Sequence, residues 1–143
     1  MPKKSRAKKK RFSKKVLIVE GIIFTPKGVL LLKRSSKNSL YIDKWQFPGG
    51  KAKKGESSLG ALKREVFEET GCKCSSPRLL KKITFSEVFL GRETVVSLSV
   101  FSCRLKKGNF CLSRDHSKFK FVKKSKILPS SLTPVSKISL FGL

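Results

Sequence analysis

Residues 50–72 of the chain are GKAKKGESSLGALKREVFEETGC. This segment holds four of the nine acidic residues of the chain within fourteen positions, namely Glu56, Glu65, Glu68 and Glu69. The last three are spaced i, i+3 and i+4, so a helix places them on one side. Two like charges about 4 Å apart at a protein surface repel by roughly 4 kcal/mol. Folding does not require this clustering, whereas binding of a divalent cation does.

The spacing of the fixed residues in this segment is specific. Gly50 is followed after five residues by Glu56, and after seven more by the run REVFEETGC at residues 64–72. The segment resembles the Nudix box, G-x5-E-x7-R-E-U-x-E-E-x-G-U with U an apolar residue, at all seven fixed positions, and Cys72 takes the last apolar slot. The preceding residues 45–50, WQFPGG, resemble those of MutT-type Nudix hydrolases. The resemblance is carried by residues 45–72, and the layout from about residue 15 onward is similar.

This resemblance implies a fold, a reaction and a set of site residues. The fold is α/β, an α/β/α sandwich with a mixed sheet, and the reaction is metal-dependent hydrolysis of a nucleoside diphosphate-linked substrate. Glu65, Glu68 and Glu69 are the expected metal ligands, because carboxylate oxygens suit Mg²⁺, with Mn²⁺ as an alternative. The resemblance adds the Gly50 carbonyl to this set. It also implies that Glu56 pairs with Arg64, which in turn orients Glu68.

The expected substrate is a nucleoside triphosphate, oxidised forms included, cleaved to a nucleoside monophosphate and pyrophosphate. Lys33 and Arg34 end a predicted strand where similar enzymes place basic residues that contact the ligand. Phe47 is a candidate for the base pocket, and Gly49 allows the backbone to approach phosphate or metal. Leu132 aligns with the Asn that recognises oxidised guanine in such enzymes. Phe47 and Leu132 are equally explained as core residues.

The general base is left open by the sequence. Relatives place a further Glu shortly before an aromatic residue of a later loop, but the residues before Phe121 are SKFK. The candidates that remain are Glu65, Glu87, Glu93 and His116 beside Asp115. For His116 an ordinary surface histidine is the simpler interpretation.

The basic surplus supports two other functions. The chain has 34 Lys and Arg and a formal net charge of +25, which attracts any polyanion. The first alternative is an enzyme that cleaves RNA 5′ ends, and the second is a nucleotide- or RNA-binding module without catalysis. No RNA-binding motif accompanies the charge, and every metal-binding position of the box is present. Free nucleotides are therefore the preferred substrate class.

The composition predicts a cytoplasmic protein with one domain and a basic N-terminal extension. Residues 1–15 hold nine Lys or Arg and no acid, which predicts a disordered basic arm that could bind RNA or another polyanion. Residues 16–143 form the predicted Nudix domain. A nuclear location is the alternative in a nucleated cell, where residues 8–11, KKKR, would serve as the address. We expect no membrane span and no signal peptide. The four Cys are expected to be reduced thiols, and the oligomeric state is not indicated.

Local patterns predict the elements of the domain. A hairpin over residues 16–25 and 28–34 turns at Pro26-Lys27, and a helix over residues 57–70 is capped by Ser57 and ended by Gly71. Further strands are predicted over residues 78–90, 93–104, 110–112 and 119–122. A short helix is predicted over residues 125–131 and ends near Pro134.

Overall fold

Seven strands and two helices make up the computed structural model, which describes residues 14–143. The strands are β1 (Lys14–Thr25), β2 (Gly28–Arg34), β3 (Trp45–Gln46), β4 (Gly49–Lys51), β5 (Cys74–Phe89), β6 (Arg92–Leu105) and β7 (His116–Val122). The helices are α1 (Ser58–Thr70) and α2 (Pro134–Phe141), and two single 3₁₀ turns precede α2 at Lys124–Lys126 and Pro129–Ser131.

The strands form one mixed sheet, in which β1 has two different partners along one edge. The strand order is β3-β2-β1-β6-β5, with β4 added to β1 and β7 added to β2. β1 and β6 run parallel, and the other pairs are antiparallel. Along one edge, β1 pairs first with β4, from Ile18 to Glu20, and then with β2, from Phe24 onward. β1 therefore changes partner along this edge, and a cleft opens beside its pairing with β4.

The two helices cover opposite faces of the sheet. Ala61, Leu62 and Val66 of α1 are fully buried in one core cluster. The other cluster includes Leu98 and packs against Val135 and Ile138 of α2. Because each helix buries only one apolar stripe, each needs its own face of the sheet. The predicted α/β/α sandwich with a mixed sheet is confirmed.

Helix α1 begins and ends where its sequence predicts. Ser57 is the N-cap, and its side chain accepts a hydrogen bond from the Gly60 N–H at 3.0 Å. Gly71 ends the helix with φ +73°, a conformation that disfavours residues with a Cβ, and donates its N–H to the Phe67 carbonyl. Both ends are therefore fixed by local chemistry, and this holds the acidic residues between them in register.

Three local predictions differ from the structure. Residues 110–112 are not a strand; Phe110 and Leu112 pack against the core cluster beneath α1 instead. The helix predicted over residues 125–131 is replaced by the two 3₁₀ turns. Pro134 begins α2 rather than ending a helix, because proline fits the first helical position and Thr133 supplies the cap.

The predicted basic arm lies outside the described residues, apart from its last two positions. Lys14 and Lys15 open β1 and pair with Thr94 and Val95 of β6, so the first strand begins two residues before the predicted domain boundary. All four cysteines are free thiols. Across residues 14–143, no helix is both long and apolar enough to cross a membrane.

Candidate active site

Arg64, in the middle of α1, gathers three carboxylates. Its Nε and Nη2 donate to the two Glu56 oxygens at 2.8 and 2.9 Å, a bidentate pair. Its Nη1 donates to Glu65 Oε1 at 2.8 Å and to Glu68 Oε1 at 2.7 Å. Nη2 also reaches the Lys51 carbonyl at 3.1 Å, which ties the helix to the end of β4. The contacts of Arg64 with Glu56, Glu65 and Glu68 are the only ion pairs within residues 14–143.

Gly49 and Gly50, which open β4 and are called the glycine loop below, lie directly against the Glu65 and Glu69 side chains of the helix. Gly49 donates its N–H to Glu69 Oε1 at 3.1 Å. The Glu65 carboxylate lies so close to Gly50 that a Cβ added there would come within 2.8 Å of it. Gly49 has φ +159° and passes so near the backbone of β1 that a Cβ would overlap the Val19 carbonyl. Glycine at both positions therefore lets the loop and the acidic helix meet.

The carboxylates differ in their affinity for protons. Burial raises the pKa of Glu69 well above its usual value, and the adjacent Glu65 carboxylate raises it further. Arg64 holds the pKa of Glu56 down at about 2, chiefly through its hydrogen bonds. The Glu56 side chain is thus a fixed anion that anchors Arg64. Glu69 is therefore a buried carboxyl beside a second carboxylate, a position that a proton on Glu69 or a nearby cation would stabilise.

The residues present fit a hard divalent cation. Glu65, Glu68 and Glu69 supply carboxylate oxygens, and the Gly50 carbonyl lies in the loop beside Glu65, a donor set that suits Mg²⁺. Within residues 14–143, no three acidic, His or Cys side chains converge on one metal position as they stand. Arg64 Nη1 engages Glu65 and Glu68 at once.

A cleft opens beside the glycine loop and the pairing of β1 with β4. Its inner part, about 120 Å³, is lined by Ile18, Glu20, Arg34, Gln46, Gly49, Gly50, Lys51, Thr133 and Val135. Ile18, Arg34 and Lys51 also line an outer chamber of about 440 Å³, together with Lys14 and Arg92. The two parts together reach the size of a small-molecule site, roughly 300–1,000 Å³. The outer chamber has four cationic residues and no acidic one in its lining, so it suits an anionic ligand.

Arg34 is held at the cleft by neutral acceptors. Its Nε donates to the Leu40 carbonyl at 2.9 Å and its Nη1 to Gln46 Oε1 at 2.7 Å. Burial lowers its pKa, and the nearby Asp115 and Glu69 charges oppose that effect. Because none of its hydrogen bonds is to a carboxylate, its positive charge is available to a ligand.

Glu20 is a buried acid at the floor of the same cleft. It interrupts the apolar run of β1, and only 3% of it is exposed. Ser139 Oγ donates to Glu20 Oε1 at 2.7 Å, and Ser136 Oγ lies 2.9 Å from Oε2. Burial raises the pKa of Glu20 to about 7 although these serines lower it. The sequence signal for Glu20 is an acid within an apolar strand. Its serine partners lie more than a hundred positions later, and nothing in the sequence indicates the pairing.

Comparison with known proteins agrees with this geometry. The family model described as the NUDIX domain matches residues 14–139, nearly the whole chain. The chain belongs to the Nudix family. Among solved structures, a MutT protein from Methanosarcina mazei Go1 is 29% identical, with a TM-score of 0.75 over 90% of this chain and 91% of that one.

Two curated relatives are similar over part of the chain. An 8-oxo-dGTP diphosphatase of Buchnera aphidicola is 38% identical over 68 residues, which are 48% of this chain and 52% of that protein. An 8-oxo-dGDP phosphatase of Danio rerio is 36% identical over 88 residues, 57% of this chain and 26% of that protein. The matches span about half or less of these relatives' own lengths.

Of the residues predicted to contact substrate in this Nudix chain, some line the cleft and others do not. Arg34 and Gly49 line the cleft. Lys33 lies instead with its Nζ 5.9 Å from the centre of the Trp45 ring. Phe47 is fully buried and Leu132 is 4% exposed, and both belong to the core cluster beneath α2. Of the two interpretations that the sequence left open for these side chains, base-pocket contact and core packing, their burial among apolar residues favours core packing.

The candidates for the general base are also spread over the structure. Glu65 is at the glycine loop, whereas Glu87 and Glu93 lie on the β5–β6 hairpin. His116 is 7% exposed rather than a surface residue, and burial lowers its pKa to about 4. Its Nε2 is buried with no hydrogen-bond partner among the described residues, so the ring is neutral at pH 7. Glu65 is the candidate that lies within the acidic cluster.

Proposed function

We propose that this Nudix chain is a divalent-metal-dependent nucleotide pyrophosphohydrolase. The observation that carries the proposal is the arrangement in which Arg64 gathers Glu56, Glu65 and Glu68 beside the glycine loop, which lines the inner part of a cleft whose outer chamber is cationic. Carboxylates that repel one another at the edge of such a cleft suit a metal that binds phosphate. The preferred reaction converts a nucleoside triphosphate to a nucleoside monophosphate and pyrophosphate.

Each part of the site has a role in this proposal. Glu65, Glu68, Glu69 and the Gly50 carbonyl would hold Mg²⁺, or Mn²⁺, which supplies charge neutralisation on the phosphoryl oxygens when bound. Glu56 keeps Arg64 in place, and Arg64 aligns Glu65 and Glu68. Glu65 is the proposed acceptor of the proton from the attacking water, because its carboxylate lies beside the glycine loop where phosphate would approach.

The cleft supports a substrate with several phosphates. Arg34, Lys51, Lys14 and Arg92 present positive charge around the outer chamber. The polyphosphate would lie between the glycine loop and these cations, beside Arg34 and Lys51, which line both parts of the cleft. The nucleoside would contact Ile18 and Val135, which offer apolar surface, and Gln46, which offers a polar group. Oxidised nucleotides are the proposed class, because two relatives carry names that specify 8-oxo-dGTP and 8-oxo-dGDP.

A panel of nucleotides tests the proposal. We expect Mg²⁺-dependent turnover, with kcat/KM for 8-oxo-dGTP about 10-fold or more above dGTP, a discrimination that a few pocket contacts can provide. The panel should include 8-oxo-dGDP and the four ordinary dNTPs, with Glu68→Gln as the inactive control for contaminating enzymes. Preference for the diphosphate would redirect the substrate assignment. Absence of turnover with every nucleotide would refute hydrolysis of free nucleotides.

A further inference from the structure

A second groove lies along α1 and shares no lining residue with the cleft. It has a volume of about 420 Å³ and is lined by Lys63, Arg64, Phe67, Lys73, Cys74 and Lys106. Phe67 is 52% exposed, so the face of its ring is accessible to a ligand. Lys63 lies one helical turn before Phe67, and Lys106 donates its N–H to the Lys73 carbonyl at 2.9 Å. The helix, the residues that follow it and the residues that follow β6 thus place three lysines around one exposed ring.

The positive charge of this groove has no carboxylate partner in the structure. Every ion pair within residues 14–143 belongs to Arg64, so Lys63, Lys73 and Lys106 make none there. Residues 1–13 contain no Asp or Glu that could provide one. Arg64 already binds three carboxylates, and no acidic residue lines the groove. The groove is therefore complementary to an anion that also offers a flat apolar face.

We propose that this groove binds single-stranded nucleic acid, with a base stacked on Phe67 and the backbone phosphates beside Lys63, Lys73 and Lys106. Single strands are bound in this way elsewhere, through a cationic channel and exposed aromatic rings on which bases stack. A strand satisfies both the ring and the lysines, whereas a duplex keeps its bases stacked inside. The proposal does not depend on the hydrolytic activity proposed above.

Binding of a short oligonucleotide tests the groove directly. The probe is a 3′-labelled oligouridine of about ten nucleotides, a length within the usual range of single-strand sites. Fluorescence anisotropy is measured with the full chain in buffer without divalent metal. Phe67→Ala should weaken binding about 5- to 100-fold, the loss expected for one stacked base, and leave the salt dependence unchanged. Leu59→Ala, at an exposed position of the same helix, is the matched control and should bind as the parent does.

The contribution of the groove lysines to binding is tested with two double variants that remove the same positive charge from different positions. Lys63→Gln with Lys106→Gln should weaken binding and reduce the slope of log K against log salt by about 1.4, two phosphates at about 0.7 each. Lys27→Gln with Lys82→Gln removes the same net charge from other positions and should have a smaller effect. Equal effects of the two pairs would overturn the proposal, because net charge alone would then explain binding.

Two further arms identify the partner. Oligothymidine of the same length distinguishes DNA from RNA, and the proposal holds if either binds through the groove. Vesicles of phosphatidylserine and phosphatidylcholine test a membrane surface. If Phe67→Ala reduced vesicle binding but not oligonucleotide binding, the groove would be a lipid contact and the proposal would be wrong. Circular dichroism melting confirms that each variant is folded.

Discussion

Gly50 leaves the space that the Glu65 carboxylate occupies. A Cβ at position 50 would come within 2.8 Å of that carboxylate, so position 50 controls where the side chain lies. The carboxylate is the far end of a flexible side chain and is held by Arg64 Nη1 at 2.8 Å, so a Cβ would displace it from that hydrogen bond without disturbing the core. Glycine is therefore needed here for the position of an acid more than for the fold.

Gly50→Ala should separate activity from stability. We expect kcat to fall about 100-fold, because a displacement of about 1 Å in a catalytic group has that cost. The melting temperature should change little. Gly108→Ala is the control, since a Cβ there meets its nearest neighbour at an ordinary 3.6 Å. A Gly50→Ala enzyme with parental kcat would show that the position of Glu65 does not matter.

Glu68→Gln and Glu69→Gln should each reduce kcat by about 100-fold or more while the fold remains intact. Their effects on the metal-free protein should differ. Glu69 is buried, and Gln can still accept the Gly49 N–H, so Glu69→Gln should raise the melting temperature at pH 8 by about 2–5 °C. Glu68 is more exposed and should change it little. Active or unfolded variants would mean that these residues are structural.

Glu20 should make the free energy of unfolding depend on pH. Its pKa rises from 4.5 to about 7 on folding, so the folded protein keeps a proton that the unfolded chain releases. Its contribution to stability is present below pH 4.5 and is lost as pH rises to 7, by roughly 3 kcal/mol at most. His116 has the opposite sign, because its pKa falls to about 4 on folding and its contribution is lost as pH falls.

A difference measurement isolates the contribution of Glu20. The free energy of unfolding in urea is measured for the parent and for Glu20→Gln from pH 4.5 to 8, without metal. Both proteins contain His116 and Glu69, so the contributions of these two residues cancel in the difference. The free energy of the parent minus that of the variant should fall with pH and level off above 7. A difference that does not vary with pH would mean that Glu20 is ionised in the folded protein.

Two truncations should define the start of the functional domain. Removal of residues 1–13 should leave kcat/KM for free nucleotides within about three-fold at physiological salt, where charges beyond roughly 8 Å are screened. Removal of residues 1–15 should raise KM, because Lys14 lines the outer chamber and pairs with Thr94. Both should bind RNA more weakly with a flatter salt dependence. If the protein without residues 1–13 is folded but does not hydrolyse nucleotides, residues 1–13 belong to the active site.

The acidic helix was predictable because its determinants are local. The spacing of the Glu residues, the Ser57 cap and the Gly71 end all lie within one segment, and α1 forms as they indicate. The start of α2 was misjudged because Pro134 suits both a helix end and a first helical position, and Thr133 decides between them.

Contacts distant in the sequence account for the rest. Nothing near Phe47 in the chain indicates that its ring faces the core beneath α2 rather than the cleft. The pairing of Glu20 with Ser136 and Ser139 likewise depends on the packing of α2 against the sheet. Local pattern therefore predicted the acidic cluster, whereas the cleft required the tertiary structure.

The central claim, metal-dependent cleavage to a monophosphate and pyrophosphate, is tested most directly by phosphorus NMR of the products. With 8-oxo-dGTP and Mg²⁺, the proposed activity gives equal amounts of the nucleoside monophosphate and pyrophosphate. EDTA should abolish the reaction, and excess Mg²⁺ should restore it. Stepwise release of orthophosphate, or turnover undiminished by EDTA, would contradict the proposed function.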